Sequence, residues 1–447
     1  MRRRALQAAA SGLLILVLAA TATAIALAEA LAQEPAHVFR GARILPITAA
    51  AIDDGVLVVS GGRISALGRA AEVRVPAGAV VHDVSGHVIM PGLVDTHSHI
   101  GGGSGGDASA AMHPSVRILD AIDARDDRIQ QAQAGGVTTV NIMPGSGLLM
   151  SGQTAYVKLR DGETIGDLLF CDDPITDICG GMKMANGTNP RGDPPSPGTR
   201  AKAAAIVREK FVKAQEYRRK VSAAGDDESE RPSRDLEMEA LVQVLEGRRT
   251  VHFHTHRHDD ILTALRLRRE FGFDLVLQHV SEGWKVADEI AAAGVPASII
   301  VIDAPGGKLE AADLSLETGA ALERAGALVG FHTDDGITDS RFFLRSAALA
   351  VRAGMSRAKA LEGLTMAGAR MLELDERVGS LAVGKDADFI VLTGDPLSVY
   401  THVLQTWVDG EKVFDRADPK DRAYAVGGFD VIDGTAPHVH AGMEDHE

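Results

Sequence analysis

Between Val38 and Met90 the apolar residues fall in short alternating runs, such as GVLVVSGGRISALG and GAVVHDVSGHVIM, interrupted by Gly and Asp. A period of two with turn residues between the runs predicts antiparallel strands. The same texture returns far along the chain in ADFIVLTGDP (387–396) and HVLQTWVDGEKVF (402–414). Both ends of the chain are therefore expected to build one small β-sandwich domain, from residues 33–91 and 377–416. Between them, apolar strand candidates alternate with helical periods: GLVDTHSH, GVTTVNIM, QTAYVKL, GGMKMA, TVHFHTH, LVLQHV, PASIIVI and LVGFHTDD. Eight such strands predict an α/β fold, a closed (β/α)8 TIM barrel over residues 92–376. An open doubly wound sheet would need a Gly-rich nucleotide turn leading into a helix after its first strand. HIGGGSGGDAS has the glycines but no immediate helix, and reads as a loop over a site.

Other segments fall outside this alternation. Arg2, Arg3 and Arg4, an apolar run from Gly12 to Leu27 and small residues at Ala30-Leu31-Ala32 predict an export signal over 1–32, of the general or twin-arginine type. The usual aromatic of the latter is replaced by Ala5. A permanent anchor is the weaker alternative, because the run is short and Ala-rich, so no stable membrane insertion is expected after cleavage. After the fourth strand, TRAKAAAIVREKFVKAQEYRRKV predicts a helix, GDDESERPS a solvated turn, and Asp235 the start of a second helix. Residues 417–447 read as a tail, with His438, His440 and His446 offering incidental metal affinity.

Charge narrows the partners. Acidic residues outnumber basic ones by 61 to 46, a net charge of −15, and no basic stretch is interleaved with aromatics, so nucleic acid is excluded as an expected partner. A small-molecule substrate is expected, with homo-oligomerisation left open. Cys171 and Cys179 are the only cysteines. In an exported protein they could form a disulfide or remain two small buried residues.

The candidate chemistry lies in the histidines. His97 and His99 alternate at the end of the first barrel strand and so project to one face, as do His252, His254 and His256 on the fifth. His279 ends the sixth strand, while His332, Asp334 and Asp335 end the eighth. Four polar strand ends at the face where barrel enzymes place their chemistry point to a divalent-metal site. Asp334 shares a face with His332, whereas Asp335 points away or begins the loop.

In this order, HxH, His, His, Asp, the chain from Gly92 to Asp334 resembles the metal-dependent hydrolases of the amidohydrolase superfamily. The likeness extends to GSLAVGKDADFIVLTGDPL (379–397). GGMKMANGTNPRG, RDLEMEALVQVL and HTHRHDDILTAL resemble its imidazolonepropionase-like and prolidase-like branch. The resemblance implies metal ligation by His97, His99, His254, His279 and Asp334, with Asp334, His279 and His256 catalytic. His252 has no counterpart. The resemblance also implies a lysine carboxylated by CO₂ on the fourth strand, bridging two ions. Lys183 is the candidate there, with Lys158 as its rival and a solvent-facing lysine as the plain alternative. Zinc is the default metal for a nitrogen-rich site, as one or two ions. The implied reaction is hydrolysis of a peptide-like or cyclic amide by metal-activated water. Deamination is disfavoured, because Arg257 stands where deaminases of this type carry Glu. Lactone or phosphoester hydrolysis would use the same residues, and an exported metal-binding protein is the non-enzymatic alternative. Arg257 is a candidate for binding a substrate carboxylate, and Arg191 reads as surface.

Overall fold

The computed structural model describes residues 35–102, 106–301 and 309–427. The export signal, three positions of the glycine-rich loop and the tail histidines lie outside the described residues. Five strands open the chain: β1 (His37–Ile44), β2 (Ile52–Ser60), β3 (Arg63–Arg69), β4 (Val80–Asp83) and β5 (Val88–Pro91). The central region carries β6 (Leu93–Ser98), β7 (Val137–Ile142), β8 (Met150–Gln153), β9 (Ala155–Lys158), β10 (Met182–Ala185), β11 (Val251–Thr255), β12 (Leu275–His279), β13 (Ala297–Ile299) and β14 (Val329–Phe331). Three more follow: β15 (Phe389–Leu392), β16 (Val403–Val408) and β17 (Glu411–Asp415).

Strands from both ends meet in one eight-stranded sheet, ordered β17-β16-β15-β5-β1-β2-β3 with β4 also on β1. The strands expected to build the sandwich are hydrogen-bonded as one path because β1 is shared, its first half pairing with β4 and its second with β5. The apolar side chains of this sheet still enclose a core, in which the Phe39 ring meets Phe389 at 4.9 Å and Trp407 at 5.0 Å edge to face.

The central strands form an α/β arrangement of mixed sheets, β14-β13-β12-β11-β10-β8 and β6-β7-β9. All eight expected segments are strands, but the third departs from the expected parallel direction. The segment QTAYVKL holds β9, antiparallel to β7, and begins on Gln153, the last residue of β8, which is antiparallel to β10. Only residues 143–149 separate β7 from β8. A parallel return needs a crossover of about a dozen residues or more, so the chain turns back directly. From β10 to β14 every neighbouring pair is parallel, which brings the C-terminal ends of these strands side by side.

The insertion folds as its pattern predicts. A helix runs Arg200–Ala224, capped where Thr199 accepts the Lys202 N–H, and a second runs Leu236–Leu245 with Asp235 as its cap. Cys171 and Cys179 form a disulfide. The fold also extends beyond the expected boundary at 416: Pro419–Val426 is helical, and the Tyr424 hydroxyl donates to Asp127 on the helix Asp127–Ala134. No helix among the described residues is long and apolar enough to cross a membrane.

Candidate metal centre

His97 and His99 straddle the end of β6, and strand alternation turns both rings into the space enclosed by the central strands. Asp334 follows β14 and is drawn to them by backbone contacts: its N–H donates to the His97 carbonyl at 2.9 Å. Asp95, one pleat before His97, accepts the Thr333 N–H at 3.0 Å and the His97 N–H at 3.2 Å, tying the same two segments together. Burial pushes the Asp95 carboxyl up to about 7.

The three candidate ligands converge. His97 Nε2 and His99 Nε2 are 3.3 Å apart, and Asp334 Oδ1 lies 3.4 Å and 3.0 Å from them. Ligand bonds of about 2.0–2.1 Å in a tetrahedral site place donor atoms about 3.3 Å from one another, so this set fits a divalent cation. The supporting contacts fit as well. His99 Nδ1 donates to the Met143 carbonyl at 2.7 Å, which leaves Nε2 as the donor atom toward a metal. Burial, then the charge of Lys183, holds the His97 imidazolium well below its usual range, and the neutral ring is the ligand form. Burial alone would raise Asp334; His97 and His99 outweigh it and hold the carboxylate ionised.

A second group, His254, His256 and His279, brings its ring nitrogens within 4.8 Å of one another, and His279 also groups with His97 and His332. All of these side chains are buried. His256 Nδ1 bonds Ser281 Oγ at 2.7 Å, and the His256 and His279 rings stack at 4.8 Å. His279 Nε2 is buried with no hydrogen-bond partner. Two site residues carry left-handed backbone, His279 at φ 71° and Asp334 at φ 50°. Side chains with a Cβ resist that region at a cost of roughly 1–3 kcal/mol each, and such strain clusters where geometry serves function.

Lys183 is fully buried on β10, with Nζ 2.8 Å from His97 Nε2 and 3.1 Å from Met143 Sδ. This overturns the solvent-facing alternative. Its rival Lys158 is equally buried but lies elsewhere, ion-paired to Asp386, Asp388 and Asp409 of the eight-stranded sheet. His252 faces inward next to Lys183 in register, bonded to the Tyr156 hydroxyl at 2.8 Å and to Gln278 at 3.2 Å. Burial and then Lys183 lower it to about 3.

Asp335 is separated from the cluster, its carboxylate accepting the Ser340 N–H at 3.1 Å. Arg257 precedes the helix His258–Phe271, and its guanidinium is engaged by Asp259 at 3.0 and 3.1 Å. That pairing competes with the substrate-binding role expected of it. Arg191 is only half-buried, but its Nε is enclosed without a partner.

His332, noted at the end of the eighth strand but given no role, lies 2.9 Å from His279 and 2.8 Å from Ser298 Oγ. One residue of the cluster was missed. Glu310 has its Oε1 3.8 Å from His254 Nε2. No spacing in the sequence announces it.

Comparison with known proteins gives the family. Residues 88–413 match the model of the Amidohydrolase family, and the chain belongs to that family. The amidohydrolase tasK of Hapsidospora irregularis is 29% identical over 373 residues, 76% of this chain; the chain spans only 38% of the length of that relative. The imidazolonepropionase of Cupriavidus taiwanensis is 27% identical over 382 residues, 76% of this chain and 85% of its own. Among solved structures, an amidohydrolase from Thermotoga maritima MSB8 superposes with a TM-score of 0.79 at 34% identity, covering 85% of this chain and all of that one. A Xaa-Pro dipeptidase with bound methionine, 18% identical at TM-score 0.57 over 84% of this chain and 99% of its own, shares the fold.

Proposed function

We propose that the protein is a metal-dependent hydrolase that cleaves a peptide-like or cyclic amide bond of a small molecule. The convergence of His97, His99 and Asp334 at ligand-edge distances carries this reading. A divalent cation held there, zinc by default, supplies Lewis acidity and lowers the pKa of water from about 15.7 towards about 7. Asp334 takes the proton of the attacking water and hands it to the leaving nitrogen. His279 or His256 polarises the substrate carbonyl and stabilises the oxyanion. In the same reading, β6 to β14 are the staves of one (β/α)8 barrel with a reversed third stave. Its closure is supported by the Asp334–His97 backbone bond and by the 2.6 Å contact of Thr96 and Ser298 hydroxyls.

Elemental analysis of protein purified from metal-replete culture is expected to find at least one divalent ion per chain. No bound ion, together with no activity gained on adding metal, would sink the reading. A screen of acyl-amino acids, dipeptides ending in Pro, and lactones then separates amide from ester chemistry.

Lys183 tests the number of ions. Its burial beside His97 supports carboxylation, a reaction that consumes a neutral amine. Lys183→Ala is expected to lose one of two ions, and a short carboxylate in solution to restore part of the activity. Unchanged metal content in Lys183→Ala would argue for a site without the carbamate.

Export is proposed on the leader pattern, and the Cys171–Cys179 disulfide supports it, since such bonds persist in oxidising compartments. N-terminal sequencing of the mature protein tests it. A chain that retains residues 1–32 in the cytoplasm would refute it.

A further inference from the structure

Away from the histidines, a cavity of about 470 Å³ opens where three parts of the chain meet. The turn between β15 and β16 forms one wall, the helix Phe343–Arg352 with the helical turn before it a second, and the end of the helix Pro419–Val426 a third. Cavities of a few hundred Å³ at such junctions are the usual seats of small molecules. The chain's own hydrogen bonds fix the walls. The Thr401 hydroxyl donates to the Asp395 carbonyl at 2.6 Å, and the His402 N–H to Thr393 Oγ1 at 2.9 Å. Arg341 Nη1 donates to the Gly427 carbonyl at 2.6 Å, tying the end of the last helix to the second wall.

The lining is apolar and cationic at once. Leu397, Val399, Phe342 and Val426 contribute to it, and Val399, Val426 and Phe342 remain 80%, 60% and 47% exposed. Apolar side chains gathered in water around one opening are a cost that a ligand with an apolar body relieves. Arg341, Arg345 and Arg416 line the same cavity, and none of its described lining residues is acidic. Asp339 neutralises Arg341 at 2.5 Å. Arg416 is half-buried, and no carboxylate among the described residues offsets its charge: burial, then the like charge of Arg422, holds its guanidinium below the usual range. The acids nearest along the chain are engaged elsewhere. Asp415 pairs with Lys412 at 2.5 Å, Asp418 accepts the Lys420 N–H at 2.8 Å, and Asp421 accepts the Asp415 N–H at 2.7 Å. A guanidinium presents its donors as a planar fork that matches a carboxylate.

We propose that this cavity binds a small organic carboxylate with an apolar body, its head group on Arg416 and its hydrocarbon among Leu397, Val399, Phe342 and Val426. No residue of the histidine cluster lines the cavity, so the inference stands apart from the hydrolase reading. Three arginines disfavour a cationic ligand, and a bare inorganic anion would leave the apolar walls in water.

Calorimetric titration of the full chain with octanoate tests this, with 1-octanol and octylammonium as the neutral and cationic controls. The parent is expected to bind octanoate and to bind both controls at least tenfold more weakly. Arg416→Met keeps an apolar stem and removes the charge, and should weaken octanoate at least tenfold with metal content unchanged. Val399→Asp sets a carboxylate on an exposed wall position, should weaken octanoate similarly, and carries the test if Arg416→Met does not fold. Octanoate affinity equal to the parent in both variants would overturn the assignment, as would a parent that binds none. Octanol bound as tightly as octanoate would leave an apolar patch without anion recognition and overturn it too. Sedimentation showing a dimer that Val399→Asp dissociates, with no uptake of octanoate, would give the surface to a second copy of the chain instead.

Discussion

On the proposed reading, in which Asp334 both ligates and moves the proton, Asp334→Asn is expected to lower kcat by about 10³-fold or more, the upper part of the range for a positioned acid–base group. The amide keeps the volume but cannot accept the proton of water. It also removes the anion that offsets a dication beside His97 and His99, which sit 3.4 and 3.0 Å from Asp334 Oδ1. Asp335→Asn is the control, since Asp335 faces the Ser340 N–H and burial already pushes its carboxyl up to about 6. It should leave kcat within roughly tenfold of the parent, acting through the loop alone. Steady-state kinetics of both variants, with metal content measured alongside, decides the matter. Equal, mild losses from the two would remove Asp334 from the proton-transfer role.

Lys158→Met is expected to destabilise the fold by about 3–5 kcal/mol while leaving the metal content per folded chain unchanged. Lys158 is fully buried on β9 and reaches across to Asp386 at 2.7 Å, Asp388 at 3.1 Å and Asp409. Arg377 and Arg63 also face Asp386, and Arg160 faces Asp409, so Asp388 is the group left most exposed to an uncompensated charge. Burial already pushes the Asp388 carboxyl up to about 6, against the pull of Lys158. Lys158→Met combined with Asp388→Asn should recover part of the loss, since removing both partners is milder than removing one. Urea unfolding measures both. A loss below about 1 kcal/mol would show the cluster to be dispensable, and lost metal would revive Lys158 as a metal bridge.

The sheet built from both chain ends and the histidine faces were legible because strand alternation is local. Two residues on, a side chain returns to the same face whatever the rest of the chain does. The HxH of β6, the histidines of β11 and the pairing of His332 with Asp334 all follow from that period. Even the reversal of the third central strand was latent in the sequence, in the shortness of residues 143–149, although the apolar run alone has no direction.

What tertiary structure decided were choices between locally equivalent residues. Lys158 and Lys183 both stand in apolar strands, yet one meets three aspartates and the other meets His97. Their fates depend on which strands lie opposite, a long-range matter that no window of sequence contains. Glu310 reaches the site from a turn beyond β13, with its carboxylate held by a peptide more than a hundred residues earlier. The two cysteines became a disulfide because the chain between them returns to a Cα separation of 5.1 Å, which composition does not dictate. Local periodicity determines which way a side chain points; only the packed fold determines what it meets there.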